Sequence, residues 1–460
     1  MMSMASLEQI SDHGSINPRF YSLMKNSGQN PSNASTTILV CGDFFVNTAK
    51  TTDDRKSILG KFNKNVVSLI KCADVSLVNL EAPATLSSNK ILKSGPALRM
   101  DPYILSSISL IGLNGVTLAN NHIMDFGSEG LMDTLTGAKE LGLLTCGAGL
   151  NIHEAIQPII IQRPDGLRIF IFSFCEKEFG VSDNNTPGSA WISHPSVLSQ
   201  IKMCRNSADF ILVIAHGGLE YLPLPPPERQ AQLRQFIDAG ADMVVGHHPH
   251  VPQGWEEYKG KYIFFSTGNF IFDKRSGVHR PETEWGFLIQ LHFDSKKIVG
   301  IKLILTENKG GNVKLIEDKG LLENKIGYLN VLSDIVQNPE LYSQYWQEIV
   351  IRHYYDQYTY LLPPRLFPDR FVTVFNHIRR HLGGNPIYPR VVNDSKKIRT
   401  RDLALLNIIR NESHSSAVKR ALSIITMQEP DLRCEDTKYQ VDRLFMWAKG
   451  QLDGAESVNS

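Results

Sequence analysis

The sequence has no run of about eighteen consecutive apolar residues, so no membrane-spanning helix is expected. Its first twenty residues lack both a basic segment and an apolar segment, so no secretory leader is expected either. Cysteine is scarce: six residues, at 41, 72, 146, 175, 204 and 434, with no Cys-x-x-Cys pair. That excludes a disulfide framework or a thiolate metal cluster and suits a reducing compartment; the expected location is the cytoplasm. Excess charge is missing too. Lys and Arg number 48 against 47 Asp and Glu, a net charge of +1, which argues against nucleic acid as a partner. Also absent are a GxGxxG fingerprint, a Walker loop and a GxSxG elbow, which removes the commonest signatures of dinucleotide, nucleotide and serine-hydrolase chemistry.

What the 460 residues do contain is a repeated alternation. Residues 1–35, rich in Ser, Asn and Gly, read as a flexible arm. Apolar, β-branched runs then recur at 36–45, 73–83, 115–122, 168–176, 208–218, 241–250 and 262–273. Helical patterns fill the gaps at 54–71, 102–112, 128–141, 195–206 and 227–238. Near-continuous apolar runs of this length predict strands buried on both faces, and β/α alternation predicts an α/β fold. EWGFLIQLHF (284–293) and KIVGIKLILTE (297–307), joined by DSKK, read as an antiparallel hairpin, so the sheet system is mixed. Helical stretches follow at 328–352, 369–382, 401–411, 415–427 and 436–449, with Pro-rich breaks at 361–368 and 383–390. The expected organisation is an arm at 1–35, a catalytic-type domain at 36–317, a helical region at 318–450 and a tail at 451–460.

Nearly every unusual polar residue follows one of the apolar runs, where an α/β sheet gathers its ligands. Asp43 follows ILVCG; alone, it would serve equally well as a turn cap. Asn79 and Glu81, two apart, share a face if the chain is extended, and a buried Glu needs a partner or a cation. Asn120, Asn121, His122 and Asp125 crowd into ANNHIMDFG; together they can position and protonate an anion. His216 and Glu220 lie in HGGLEY, where two glycines let backbone approach a ligand closely. His248 and His250 flank Pro249 in VVGHHPHVPQ. In an extended segment these two would aim at one point and His247 would face away. Asn269 follows IFFSTG. Mixed oxygen and imidazole donors of this kind suit Mn, Fe or Zn.

In order, CGD, VNLE, ANNHxxDxG, CGAG (146–149), HGGxEY, GHHPHVPQ and FSTGNF resemble the motifs of the CapA-type capsule-biosynthesis proteins. This is the poly-γ-glutamate synthesis family of the calcineurin-like metallophosphoesterase superfamily, and the resemblance covers about residues 36–310. It implies a four-layer α/β/β/α metallophosphoesterase-like sandwich, followed here by a mostly helical C-terminal region. It implies a two-metal site, with Asp43 and His250 on the first ion, Glu81 bridging, and Asn121, His216 and His248 on the second. His122, beside Asp125, would be the acid; Asn79, Asn120, Glu220 and Asn269 would contact substrate. The sequence departs from the metallophosphatase pattern at Phe45, where those enzymes place a histidine, and at Glu81, where they place Asp. The first metal is therefore expected to be weakly bound or absent. The implied function is metal-assisted hydrolysis of a phosphoester or amide in capsule or poly-γ-glutamate-type polymer biosynthesis, on a polymer, peptide or phosphoester. The alternatives are metal-independent acid/base chemistry on a peptide, with Asp43 and His250 as the pair, and a non-catalytic assembly role. In the last, the helical region would dock a protein partner.

Overall fold

Strand β1 (Thr36–Phe45) alternates its side chains between two separate cores: Ile38 and Val40 enter one, Leu39 and Cys41 the other. That alternation sets the architecture, because a strand apolar on both faces must be covered on both. The computed structural model describes residues 36–48, 55–273, 280–358 and 396–452. The arm at 1–35, the helical stretch at 369–382, both Pro-rich breaks and most of the tail lie outside the described residues.

The first sheet has eight strands. Besides β1 it contains β2 (Val75–Leu80), β3 (Gly115–Thr117) and β4 (Leu144–Cys146), all parallel to one another. A minor two-stranded pairing joins β5 (Ala148–Gly149) to β8 (Gly188–Ser189). The second sheet, of six strands, has the order β11-β12-β10-β9-β7-β6. These are β6 (Ile159–Gln162), β7 (Arg168–Cys175), β9 (Phe210–His216), β10 (Met243–His247), β11 (Trp255–Tyr258) and β12 (Lys261–Phe264). The first sheet is completed by β13 (Asn269–Phe272), β14 (Trp285–Asp294), β15 (Lys297–Glu307) and β16 (Lys314–Leu315). β14 and β15 form the expected antiparallel hairpin.

Helices α1 (Arg55–Gly60), α2 (Lys64–Lys71), α3 (Tyr103–Ile111) and α4 (Gly127–Glu140) cover the outer face of the first sheet through Ile58, Ile70, Ile108 and Leu131. After the short α5 (Ile152–Ala155), α6 (Pro195–Arg205) and α7 (Pro227–Asp238) back the second sheet, with Phe236 stacked on Phe174 at 5.6 Å. The two sheets face each other. Phe210 meets Phe293 at 5.1 Å, and Phe264 meets Phe287 at 6.2 Å, across the interior. The result is the α/β/β/α sandwich implied by the sequence.

Two apolar segments behave differently from their sequence reading. YIFFSTGNFIFD is not one strand: β12 ends at Phe264 in the second sheet and β13 starts at Asn269 in the first. The crossing turns at Gly268, whose φ of 72° favours glycine. The stretch 328–352 is two helices, α8 (Lys319–Gln337) and α9 (Pro339–His353). Pro339 has no N–H to continue the first helix, and the Asn338 side chain caps the second by accepting from the Glu340 and Leu341 amides.

The remaining helices are α10 (Lys396–Arg410), α11 (Glu412–Ile425) and α12 (Glu435–Ala448). They join the sandwich through one continuous core. Tyr328 lies edge-on to Trp285 of β14 and to Trp447 of α12, at 6.1 and 5.5 Å. No helix among the described residues is long and apolar enough to cross a membrane.

Candidate metal centre

Parallel strands carry their carboxyl ends to one edge of each sheet, and the two edges meet over the interior. Gly42 makes the first approach possible. A side chain there would collide with the Gly268 carbonyl, and its absence lets β1 run against β13 with Asp43 opposite Asn269. Asp43 is fully buried and nonetheless well supplied. One carboxylate oxygen accepts from Asn79 Nδ2 at 2.7 Å, the other from the His248 amide at 3.1 Å. Asn79 in turn accepts from Asn120 Nδ2 at 3.2 Å. Asn79 and Asn120 thus brace the carboxylate and each other.

Glu81 is different. It follows β2, is 0% exposed, and neither of its oxygens receives a hydrogen bond from the described residues. Its neighbours are imidazoles: His216 Nε2 and His250 Nε2 each lie 3.7 Å from Oε1. Burial, and then the nearby Asp43 charge, push the Glu81 carboxyl well above the usual range. Burial likewise pushes His216 and His248 well below theirs, reinforced by the crowding of the other histidines. Such a site is costly for every charge it holds unless a cation balances the carboxylates.

The donors fall into overlapping sets whose ligand atoms lie within 4.8 Å of one another: Asp43, Glu81 and His250; Glu81, His216 and His248; and Glu220, His248 and His250. Asn121 Oδ1 adds to the second set, 3.2 Å from His216 Nε2. Glu81 belongs to the first two sets, and its unpartnered oxygens are what a bound cation would satisfy. The residues fit a divalent metal.

The two histidines of the HPH turn, His248 and His250, converge for a reason the sequence does not show. β10 ends at His247, and His248 and His250 have φ of 98° and 59°. The segment is a left-handed turn, not an extended strand, so alternation along a strand is not what unites them. Such backbone in non-glycine residues costs about 1–3 kcal/mol and concentrates at functional sites. Their rings sit 5.9 Å apart, and His250 Nδ1 lies 2.9 Å from Asn269 Oδ1. Asn269 opens β13 and does not close the strand before it. His247 stays outside every ligand set. It is buried, neither ring nitrogen is hydrogen-bonded among the described residues, and burial pushes its pKa down to about 3.

A dyad stands beside the centre. His122 Nδ1 lies 2.7 Å from Asp125 Oδ2, and Asp125 also accepts from the Leu98 amide and Lys93 Nζ. Burial works against the Asp125 charge, but His122 and Lys93 outweigh it and hold the carboxyl below its usual range. Lys93 has no sequence signal: it lies in the loop SSNKILKSG, far from any strand end. Phe45, where a histidine would extend the centre, is fully buried and packs against Phe272 at 5.2 Å.

A cavity of about 790 Å³ opens over the centre. Lys93, Asn121, His122, Glu220, Tyr221 and Arg280 line it from the sandwich, while Arg352, Tyr358, Asn407 and His414 line it from the helical region. The helices are fastened there. Ser413 Oγ donates to the buried Glu176 at 2.7 Å, Glu412 accepts from Trp191 Nε1 and the Lys177 amide, and Asn407 donates to Glu178. The wall residues from the helical region fall outside every motif in the sequence, because only the fold brings them over the strand ends.

Residues 37–274, just over half of the chain, match the family described as bacterial capsule synthesis protein PGA_cap. The chain belongs to this family. Over 220 residues it is 32% identical to the capsule biosynthesis protein CapA of Bacillus anthracis, covering 46% of this chain and 53% of that one. Over 214 residues it is 34% identical to the PGA biosynthesis protein CapA of Bacillus subtilis, covering 45% and 56%. A probable polyglutamine synthesis accessory protein of Mycobacterium tuberculosis is 29% identical over 212 residues, covering 44% and 56%. The chain thus spans about half the length of the curated relatives it matches. Among solved structures, a hypothetical protein from Thermus thermophilus overlaps with a TM-score of 0.38 at 14% identity, covering 59% of this chain and 99% of that one. The 5'-nucleotidase of Candida albicans overlaps at 0.33 and 12%, covering 68% and 57%. Both overlaps are too loose to argue from. This PGA_cap protein carries its donor clusters within the matched segment and a helical wall beyond it.

Proposed function

We propose that this protein is a metal-assisted hydrolase acting on a phosphoester or amide in the synthesis of a capsule or poly-γ-glutamate-type polymer. The observation that carries the reading is Glu81, a buried carboxylate with no donor to either oxygen among the described residues, shared by two ligand sets. Asp43, Glu81 and His250 would hold one cation; Glu81, Asn121, His216 and His248 would hold the other. Mn, Fe and Zn all suit such a mixture of oxygen and nitrogen donors. A divalent cation bound there supplies Lewis-acid activation of water and of a substrate oxygen.

The chain's own residues do the rest. With Asp125 accepting from His122 Nδ1–H, the ring is oriented, and in its doubly protonated form the Nε2–H gives its proton to the leaving group, leaving the neutral ring with Nδ1–H still on Asp125. Lys93, held against Asp125, keeps that carboxylate charged as the acceptor for His122 Nδ1–H. The amide and carbonyl groups of Asn79 and Asn120 keep Asp43 in place when substrate enters. The cavity walls exclude bulk water, and the helical residues Arg352, Tyr358 and His414 contact the part of the substrate away from the scissile bond. The closest competing reading is proton transfer on a peptide without metal, favoured by His250 Nδ1 lying 3.5 Å from Asp43 Oδ2.

The test is metal analysis of the purified chain, followed by assays with phosphomonoester, phosphodiester and γ-glutamyl substrates in added Mn or Zn. Bound divalent metal and metal-dependent hydrolysis of one class are expected. No metal and no hydrolysis would refute the reading. Solvent deuterium entering a peptide α-carbon in the presence of chelator would establish the competing one.

A further inference from the structure

We propose that Glu220 is a metal ligand, supplying the centre with a donor that Phe45 withholds; this rests on the hydrolase reading above. On β1, Asp43 has no imidazole two residues on. The Phe45 ring is turned into the apolar core against Phe272. The position built on Asp43, Glu81 and His250 is thereby left with three protein donors, fewer than a closed site provides.

The loop after β9 brings a further carboxylate to His250 of that position and to His248 of the neighbouring one. Its first residues, Gly217 and Gly218, have φ of 157° and 121°, and Tyr221 follows with φ of 64°. A side chain at Gly217 would run into Glu176, so the sharp departure from the strand needs glycine there. The loop is stapled directly to the histidine turn: the Gly217 amide donates to the His247 carbonyl at 3.0 Å, and the Tyr221 amide donates to the Pro249 carbonyl at 2.9 Å. The Tyr221 ring stacks on His250 at 6.0 Å. Glu220 is therefore carried back over the histidines. Its carboxylate shares a ligand set with His248 and His250, with donor atoms within 4.8 Å of one another. Of the other carboxylates lining the cavity, Glu178 accepts from Asn407 Nδ2 at 2.9 Å, Glu282 pairs with Arg280 at 3.5 Å and Asp442 pairs with Arg352. Neither these three nor Asp356 falls into a ligand set among the described residues. Glu220 is the wall carboxylate that the fold ties to the centre's imidazoles.

The full-length chain, stripped with EDTA and titrated with Mn²⁺ alone, provides the test. Isothermal titration gives the number and affinity of sites, and electron paramagnetic resonance reports the environment of each ion. The wild type is expected to bind two Mn²⁺. Glu220→Gln is expected to keep one site and to weaken the other by roughly 10–100-fold. Glu220→Asp, which retains a carboxylate on a shorter arm, should fall between and guards against a folding defect in the first variant. Two sites of unchanged affinity and unchanged resonance spectrum in both variants would overturn the assignment of Glu220 alone. A wild-type chain that binds no Mn²⁺ would overturn the hydrolase reading as well.

Discussion

Replacing Glu81 by Gln gives two effects of opposite sign. In the metal-free protein both Glu81 oxygens are buried without a donor, 3.7 Å from two imidazoles, beside the Asp43 carboxylate. An unsatisfied buried polar group costs about 1–3 kcal/mol, more when charged. The sign with pH follows from the raised pKa. The folded state keeps the Glu81 proton after the unfolded chain has lost its own, so stability falls as pH rises above the unfolded carboxylate value. Gln carries no proton to lose. Metal-free Glu81→Gln should therefore match the wild type near pH 5 and exceed it near pH 8 by an amount on the order of 1–3 kcal/mol. Mn²⁺ acts in the opposite direction. Metal at 100 times its dissociation constant stabilises the wild type by about 2.7 kcal/mol, and the variant should lose most of that gain. Calorimetry of both proteins at the two pH values, in EDTA and in Mn²⁺, measures all four differences. A metal-free variant less stable than wild type at pH 8 that still gains fully from Mn²⁺ would refute the reasoning, and Glu81 would be an ordinary structural residue.

Asp125→Asn removes the charge and replaces one of the two acceptor oxygens by a donor while leaving the size unchanged; kcat should fall by roughly 10²–10⁴, with KM little altered, in steady-state assays. Metal binding should release protons and tighten as pH rises from 5 to 8. Glu81 must lose a proton it holds unusually firmly, whereas His216 and His248 are already neutral; titrations in buffers of different ionisation enthalpy count the protons. Glu412→Ala strands the Trp191 indole and the Lys177 amide, at about 1–3 kcal/mol. Amide exchange should quicken around residues 176–180 and leave β1 and β2 unchanged.

Much of the fold was legible because each buried strand had to be apolar on both faces. TTILVCGDFF, VSLV, ILVIA and MVVG mark β1, β2, β9 and β10 within a residue or two. The polar residues near their ends were legible for the same reason: nothing in a packed strand requires Asp43, Glu81, His216 or His248. The sequence reading failed where backbone geometry overrides local pattern. YIFFSTGNFIFD looks continuous, yet Gly268 sends its halves into different sheets. His248 and His250 look like alternating strand residues, yet positive φ angles turn them together. Lys93 had no pattern to find, since a lysine in an irregular loop becomes a partner of Asp125 only when that loop folds over the dyad.

By itself, then, the sequence determined the alternating sheet, the donor chemistry and the family, since burial periodicity and strand-end polarity are local properties written residue by residue. The tertiary structure alone decided that Glu81 stands between two imidazole sets without a donor, that Glu220 reaches the histidines, and that the C-terminal helices wall the cavity. Those facts depend on distances between segments as far apart in the chain as Glu81, His250 and His414, and only the closed fold sets such distances.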